Sequence, residues 1–425
     1  MAVLKKIVRA LGKLFLWLFM VLCMVIILVG SVTLFFYYQT QEQSLPPSEY
    51  WFADIPLKTN GYQWSIPILG GIIHKQFLQP QDLTVQDLGR LEEQPKLKLS
   101  EKIDAQAQTQ LTITNQQGQS IFDGTAQEFQ DFMFTHNGEY QSTFRVAYPQ
   151  IKTKPTGEYF YQFRFRLDLK SEISISADTV YQGDVVALSI SGLPQDAQIQ
   201  VESELVSTKP VNRYGKVMIY FAVPYNQPDK EYPIRIQTGG HNKEFSVKVL
   251  YNPFKKVTLE TDTLQGTQQA IQQYQQTIFP LFETASIESE WTGIFQSPIE
   301  QPNDGVVLSD YGSFEQIIQG DKTSRNIGIT YKCHEDKPVV ATATGTVVYA
   351  GMLDLTKGIV VIEHGGGLKS YLYHLKDILV QQGQQVKTGE VIGTSSNLLQ
   401  FDLRIANKTI NPNLALNGKG GLLWR

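Results

Sequence analysis

Residues 339–351 read VVATATGTVVYAG, residues 358–375 read GIVVIEHGGGLKSYLYHL, and residues 378–396 read ILVQQGQQVKTGEVIGTSS. Each segment combines runs of β-branched residues with glycines at regular intervals, a pattern typical of short antiparallel strands joined by tight turns. Residues 399–416, LQFDLRIANKTINPNLAL, add an alternating strand and a proline-bearing turn. Together they predict a C-terminal domain built on a tightly turned β-sheet or barrel, which we place at residues 291–425.

The order of these four segments resembles peptidase family M23, the LytM and lysostaphin type of zinc endopeptidase that cuts peptidoglycan cross-bridges. The resemblance covers residues 326–416, under a quarter of the chain. In that family an H-x-x-x-D motif opens the domain, a Y-x-H-L strand lies midway, and an H-x-H strand closes it. The first His, the Asp and the last His bind zinc, and the other two His residues assist catalysis.

Four of the five motif positions carry a different residue in this sequence. Asn326 and Thr330 stand at the His and Asp of the opening motif, while Leu398 and Gln400 stand at the two His of the closing motif. Only the midway histidine is retained, as His374, which is the one candidate catalytic residue. A catalytic zinc needs three N, S or O protein ligands, and without the metal its water is not activated. The resemblance therefore implies a vestigial groove with no zinc cofactor and no hydrolysis by the family mechanism.

Three other interpretations stay open. Cys333 or His334, together with His374, could form a rearranged zinc site and make the chain an active metalloendopeptidase, although neighbouring residues of a strand point to opposite faces. The GTVVYAG and VKTGEVIG rhythm also occurs in lipoyl and biotinyl carrier domains, for which Lys357 is the one candidate attachment site. Finally, the β-domains could be purely structural and pair with partner proteins.

Two segments with different sequence patterns precede this domain. Residues 171–251 contain six short alternating strands separated by turns, which predicts a small immunoglobulin-like β-sandwich. Residues 252–290 form a glutamine-rich stretch that predicts a helical linker ending at Pro280. The expected apolar stripe of this helix consists of Leu264, Ile271, Tyr274 and Ile278.

The region at residues 39–170 predicts a further β-rich domain with no recognisable motif. Aromatic and polar residues alternate at period two in segments such as EYFYQFRFRLDL, which is typical of half-buried strands. One helix is expected to interrupt these strands at residues 123–134, with Thr125 as its cap.

Residues 14–41 contain no charged side chain and are long enough to cross a bilayer once as a helix. The stretch exceeds the apolar region of a cleavable signal peptide. Four basic residues precede it, and no acidic residue does: Lys5, Lys6, Arg9 and Lys13. The positive-inside rule then predicts a cytoplasmic tail at residues 1–13, a transmembrane anchor at 14–38, and the rest of the chain outside the cytoplasm.

The chain has 425 residues and a formal net charge of −4. Outside the four N-terminal basic residues the balance is 33 basic to 41 acidic, a charge of −8 that argues against nucleic-acid binding. The two cysteines are Cys23, inside the apolar stretch, and Cys333. We therefore predict a bacterial envelope protein, held in the membrane by one helix, whose M23-like domain binds a peptidoglycan stem peptide or another envelope protein. It would act in cell-wall remodelling or in a trans-envelope assembly.

Overall fold

The computed structural model describes residues 2–100, 107–149, 151, 153–238, 241–260, 266–286, 291, 293–301, 303–318 and 322–424, with side chains from residue 11 onward except at 44 and 322. The chain is mainly β, with an N-terminal apolar helix and a C-terminal sheet domain, so the predicted fold class is confirmed. It divides into two compact units, one made of the chain up to residue 132 plus residues 138–169, the other of residues 133–137 and 170–425.

The N-terminal helix extends over Ala2–Gln39 and is followed by a short 3-10 turn, Glu42–Ser44. Its segment Leu11–Gln39 has a mean hydropathy of 2.8 and is, among the described residues, the one helix long and apolar enough to cross a membrane. The helix begins well before the predicted anchor because its basic N-terminal residues are themselves good helix formers.

The first unit contains a three-stranded and a larger sheet. The small sheet consists of Trp51–Phe52, Ile55–Pro56 and Leu97–Lys98. The large sheet has the order Ile73–Gln79, Gly61–Ile68, Thr156–Leu167, His136–Tyr148, Gln108–Asn115 and Ser120–Gly124, with Gln86–Leu91 beside Thr156–Leu167. Alternating aromatic residues of the long strands fill its core, as the period-two pattern indicated.

The prediction of a helix at residues 123–134 is wrong. Only the 3-10 turn Glu128–Gln130 forms there, because Phe129 packs its ring 5.7 Å from that of Phe52 in the aromatic core. Thr125 does act as a cap: its backbone N–H donates to a Glu128 carboxylate oxygen at 2.7 Å, and the Glu128 N–H donates to Thr125 Oγ1 at 3.2 Å. This reciprocal pair is a capping box that starts one turn and no helix.

Two four-stranded sheets form the predicted sandwich in the second unit. One has the order Glu172–Ile175, Val185–Ser191, Lys216–Ala222 and Val211–Arg213; the other has the order Thr179–Tyr181, His241–Leu250, Glu231–Thr238 and Ile199–Ser203. The short strand Leu193–Pro194 lies outside these sheets and pairs with His136 and Asn137, which belong to the same unit. Side chains from both sheets share one buried cluster, as expected of a sandwich.

A nine-stranded sheet forms the C-terminal domain. Seven strands follow the order Gly305–Ser309, Ile329–Cys333, Val391–Ile405, Leu368–Ile378, Lys357–Gly365, Gly345–Leu353 and Gln385–Val386. Pro338–Val340 and Lys408–Ile410 also pair with Val391–Ile405, which we call the central strand. A separate three-stranded sheet contains Lys256–Leu259, Phe314–Ile317 and Lys322–Arg325, and the chain ends with the helix Pro412–Leu416 and the 3-10 turn Gly421–Leu423.

Two strands of the sandwich are buried on both faces. Val186 and Leu188 point into the sandwich core, whereas their neighbours Val185 and Ala187 point into the core of the C-terminal domain. The strand Lys216–Ala222 divides its side chains in the same way, which explains its unbroken apolar run. The predicted boundaries at 170, 251 and 290 stay predictions, but the sandwich and the C-terminal domain share one core.

The linker forms the helices Gln268–Ile278 and Pro280–Glu283, which we call the groove helices. The Thr267 hydroxyl accepts a hydrogen bond from the Ala270 N–H at 3.2 Å and caps the first helix. Leu264, expected on the apolar stripe, lies outside the described residues. Ile278 is fully buried against the C-terminal sheet, so this segment packs on the domain that follows it.

Candidate functional site

Strand pairing brings the five motif positions together. Thr330 lies directly opposite Gln400 on the central strand, and Gln400 in turn lies opposite Tyr373, the residue before His374. Leu398 points to the same face as Gln400 because side chains of a strand alternate. These side chains form a row across the strands Ile329–Cys333, Val391–Ile405 and Leu368–Ile378, and we call this row the groove.

Asn326 is tied to its neighbours by its carboxamide. Its Nδ2 donates to the Ser309 carbonyl at 2.9 Å and to Thr330 Oγ1 at 3.1 Å, and its Oδ1 accepts from the Gly328 N–H at 3.1 Å. Asn326 and Thr330 are both buried. The side chains at the opening motif are therefore bonded to the chain itself and hold the start of strand Ile329–Cys333 in place.

His374 lies at an irregularity of its strand. Its φ of 66° is in the left-handed region, and the pairing with the central strand shifts between Tyr373 and Leu375. The bulge turns the backbone so that the His374 N–H donates to the Thr356 carbonyl at 3.0 Å. Burial, and secondarily the Lys357 charge, lower the pKa of His374 to about 4, so its imidazole is neutral at pH 7.

Sequence reasoning missed two charged residues of the groove. Asp402 is fully buried; it accepts from Gln400 Nε2 at 2.9 Å and from Arg404 Nη2 at 2.8 Å. The Arg404 guanidinium also lies over the rings of Phe282 and Tyr371, 5.2 and 5.3 Å from their centroids. The signal was present in LLQFDLRI, where polar residues at every second position of a strand must share one face.

A cavity of about 470 Å³ opens at this network. The groove helices contribute aromatic side chains to its lining, including Tyr274, whose hydroxyl lies 3.2 Å from that of Tyr373. Arg404 Nε and Thr356 Oγ1 also belong to lining residues, both over nine-tenths buried, and neither atom has a hydrogen-bond partner among the described residues. An apolar cavity with a few buried polar atoms of this kind is typical of a binding site.

The residues of the alternative zinc site do not converge. His334 is exposed, and burial together with the charge of Asp304 raises the pKa of the Cys333 thiol to about 11. Nowhere in the described ranges do three or more His, Cys, Asp or Glu side chains come close enough to hold a metal ion. Lys357, the candidate attachment site of a carrier domain, begins its strand and pairs with Leu353 next to the hairpin turn.

His364 is a core residue of its strand, and its imidazole is hydrogen-bonded at both nitrogens. Nδ1 lies 2.9 Å from the Thr344 carbonyl and therefore donates to it, which leaves Nε2 to accept from the Ser370 hydroxyl at 2.7 Å. Burial lowers the pKa of His364 to about 4. It supports the turn that follows and takes no part in the groove.

Comparison with known proteins also places an M23 domain in the C-terminal part of the chain. Peptidase family M23 matches residues 324–412. The murein hydrolase activator NlpD of Salmonella dublin is 35% identical over 118 residues, which cover 26% of this chain and 29% of that protein. The lipoprotein NlpD of Yersinia enterocolitica is 37% identical over 83 residues, which cover 18% of this chain and 86% of that protein.

Among solved structures, the catalytic domain of lysostaphin from Staphylococcus simulans matches 25% of this chain and 89% of its own length, with 22% identity and a TM-score of 0.23. The chain spans only 29% of the length of the Salmonella relative. The match to the Yersinia lipoprotein extends over most of that protein. The chain therefore belongs to peptidase family M23, whose domain it carries at residues 324–412.

Proposed function

We propose that this chain is a membrane-anchored envelope protein whose M23 domain does not cut peptidoglycan but activates a separate murein hydrolase. The observation that carries the proposal is the groove itself, where neutral side chains occupy the positions of the family's zinc ligands: Asn326 and Thr330 are hydrogen-bonded to each other, and Gln400 is hydrogen-bonded to Asp402. Support from relatives is the name murein hydrolase activator, which is borne by proteins 35% and 33% identical to this chain over 118 residues.

The groove residues do not fit a zinc ion. Asn326, Thr330 and Gln400 offer only neutral amide and hydroxyl groups, and Leu398 offers no donor atom, whereas zinc sites are built from Cys, His and carboxylates. Asp402 is a carboxylate, but its two oxygens are held by Gln400 and Arg404. Hydrolysis by the family mechanism is therefore not part of the proposal.

The groove retains what a binding site requires. Its cavity combines aromatic walls with two buried polar atoms, on Arg404 and Thr356, that a peptide segment could pair. We propose that this segment belongs to a murein hydrolase; a peptidoglycan stem peptide is the other candidate. The acidic balance of the chain disfavours nucleic acid as a partner.

The apolar helix supplies the proposed anchor. Leu11–Gln39 exceeds the roughly 20 residues that a bilayer requires, and the basic residues before it orient its N-terminus toward the cytoplasm. In this arrangement the domains after Gln39 lie on the outer side of the membrane, where the cell wall is.

Residues 39–425, purified and incubated with excess zinc, should retain near-zero zinc per chain, because the groove lacks the ligands that would hold it. Elemental analysis after dialysis measures this directly. The matched variant Asn326→His, Thr330→Asp, Gln400→His carries the family's three ligand types and should gain zinc. One tightly held zinc in the unchanged protein would favour the active-peptidase interpretation.

Residues 39–425 alone should release no peptidoglycan fragments from purified, dye-labelled cell walls, with or without chelator. Added to a murein hydrolase of the same organism that is weakly active by itself, they should raise the rate of dye release several-fold. The reason is that an activator supplies binding to the enzyme and none of its chemistry.

Chelator-sensitive dye release by the chain alone would contradict the proposal. Binding to walls with no effect on any murein hydrolase would instead identify a stem peptide as the ligand. The groove variant is Asp402→Leu with Arg404→Leu, which removes the charged pair without leaving one charge buried alone, and the exposed Lys230→Met is its matched surface control. Only the groove variant should reduce activation.

A further inference from the structure

The strands Gly61–Ile68 and Ile73–Gln79 form a hairpin that lies beside the end of the apolar helix, within the same compact unit. Near its open end, the Tyr62 hydroxyl donates to Glu42 Oε1 at 3.0 Å, just beyond the helix. Further along, Lys75 Nζ donates to the carbonyls of Tyr37 and Thr40 at 2.9 and 2.5 Å. The open end of the hairpin therefore lies beside the residues that follow the helix, and the part nearer the tip lies beside the last turn of the helix.

This order of contacts sets the direction of the hairpin. Lys75 lies opposite Ile66, four residues nearer the tip than Tyr62, and it contacts residues of the helix that precede Glu42. Moving toward the tip therefore means moving back along the helix, toward its apolar segment. The ammonium group of Lys75 is also well placed to stabilise the negative end of the helix dipole.

Eight consecutive residues around the turn, Ile66 to Ile73, are apolar and read IPILGGII. Ile66 and Ile68 are buried within the unit, so the tip of the hairpin is formed by residues 69–73. Gly70 and Gly71 have φ values of 69° and 86°, which permit the tight turn. Ile72 is 78% exposed, although turns facing water are normally polar. An exposed apolar turn is stabilised when another apolar surface covers it, and beside a membrane-spanning helix the available apolar surface is the bilayer.

Ile72 lies three residues beyond Lys75, or about 10 Å along a strand. The same distance corresponds to about seven residues of helix, so a tip that continues in this direction comes level with the apolar segment that ends at Gln39. Lys75 and the adjacent Tyr37 ring, 4.9 Å from its ammonium nitrogen, match the residues that mark a membrane–water boundary.

We propose that the hairpin tip, residues 69–73, inserts into the outer leaflet of the bilayer through the exposed Ile72 and gives the chain a second membrane contact beside its helix. The insertion is shallow, at the boundary of headgroups and acyl chains, because strand Ile73–Gln79 lies at the edge of its sheet, where no other strand in the described part of the chain pairs with its outer side, and its backbone groups there need water. This inference rests on the membrane anchoring proposed above. Its consequence is that the hairpin fixes the first unit against the surface and limits its rotation about the helix.

Nitroxide accessibility in the full chain tests this. The chain, with Cys23→Ser and Cys333→Ser, is reconstituted into vesicles of phosphatidylcholine and phosphatidylglycerol and labelled at Ile72→Cys. Matched labels are placed at Val29→Cys in the helix and at Leu379→Cys in the C-terminal domain; all three positions are exposed, at 78%, 55% and 60%. The ratio of relaxation by oxygen to relaxation by a water-soluble nickel chelate should be several-fold higher at Ile72 and Val29 than at Leu379.

Each other result overturns the inference in a distinguishable way. A lipid-exposed Val29 with a water-exposed Ile72 keeps the anchor and rejects the insertion. A water-exposed Val29 rejects the anchor as well. An Ile72 label shielded from both reagents shows that protein, either a partner or a second copy, covers the tip in place of lipid.

Discussion

Replacement of Asp402 by alanine should lower the free energy of unfolding of residues 39–425 by about 3–5 kcal/mol. The carboxylate is fully buried and pairs with Arg404, whose side chain is only 9% exposed. Removing it leaves a guanidinium charge without a counter-ion in a region of low dielectric, and Gln400 loses its acceptor as well. Urea unfolding monitored by tryptophan fluorescence measures the change.

The matched control is Glu204→Ala, which breaks the solvent-exposed pair with Lys230 and should leave the unfolding midpoint unchanged. A second control removes both charges, Asp402→Leu with Arg404→Leu, and should recover much of the lost stability because no charge stays buried. If Asp402→Ala behaves like Glu204→Ala, the Asp402–Arg404 pair is solvated in solution and does not stabilise the domain.

Residues 291–425 expressed alone should not fold cooperatively, whereas residues 170–425 should unfold in a single transition. The reason is the shared core, in which Ala187 and Tyr220 of the sandwich pack with Tyr331 and Phe401 of the C-terminal sheet. Cutting the chain at 291 exposes this apolar surface to water, at a cost of about 25 cal/mol per Å². Calorimetry and near-UV circular dichroism of the two fragments measure the difference.

A point substitution tests the same core in residues 39–425. Trp291 is 1% exposed, with its ring 5.5 Å from that of Tyr220 and under the Arg213 guanidinium at 4.2 Å. Arg213 also donates to the Leu422 carbonyl at 2.8 Å and so joins the sandwich to the end of the chain. Trp291→Ala should lower the melting temperature of the whole second unit; melting of the sheet domain alone would show that the cores are separable.

Patterns confined to neighbouring residues were readable from the sequence. The apolar helix follows from its length and lack of charge, and the strands follow from alternation, because both depend on a local period. The groove positions were located by spacing on motifs, and the pairing of Thr330 with Gln400 brings them together as that spacing requires.

Features that depend on tertiary context were not readable. Residues 123–134 have a composition that favours a helix, but Phe129 packs into the aromatic core and only one helical turn forms. Arg404 and Asp402 form a pair only once Phe282 and Tyr371 bury them, and no residue spacing along the chain reports that burial. The contact of Lys75 with the helix end likewise joins segments 35 residues apart.

The central strand, Val391–Ile405, also determines when the C-terminal domain can form. It pairs with Ile329–Cys333, Pro338–Val340, Leu368–Ile378 and Lys408–Ile410, so the earlier strands of the sheet cannot complete their pairing before this strand has been synthesised. Pairings this distant in sequence form slowly, because loop closure precedes any compensating contact. During synthesis from the N-terminus, the two-faced strands of the sandwich therefore keep one apolar face uncovered until residues 391–405 have been made, and this is the interval in which we expect a chaperone to matter most.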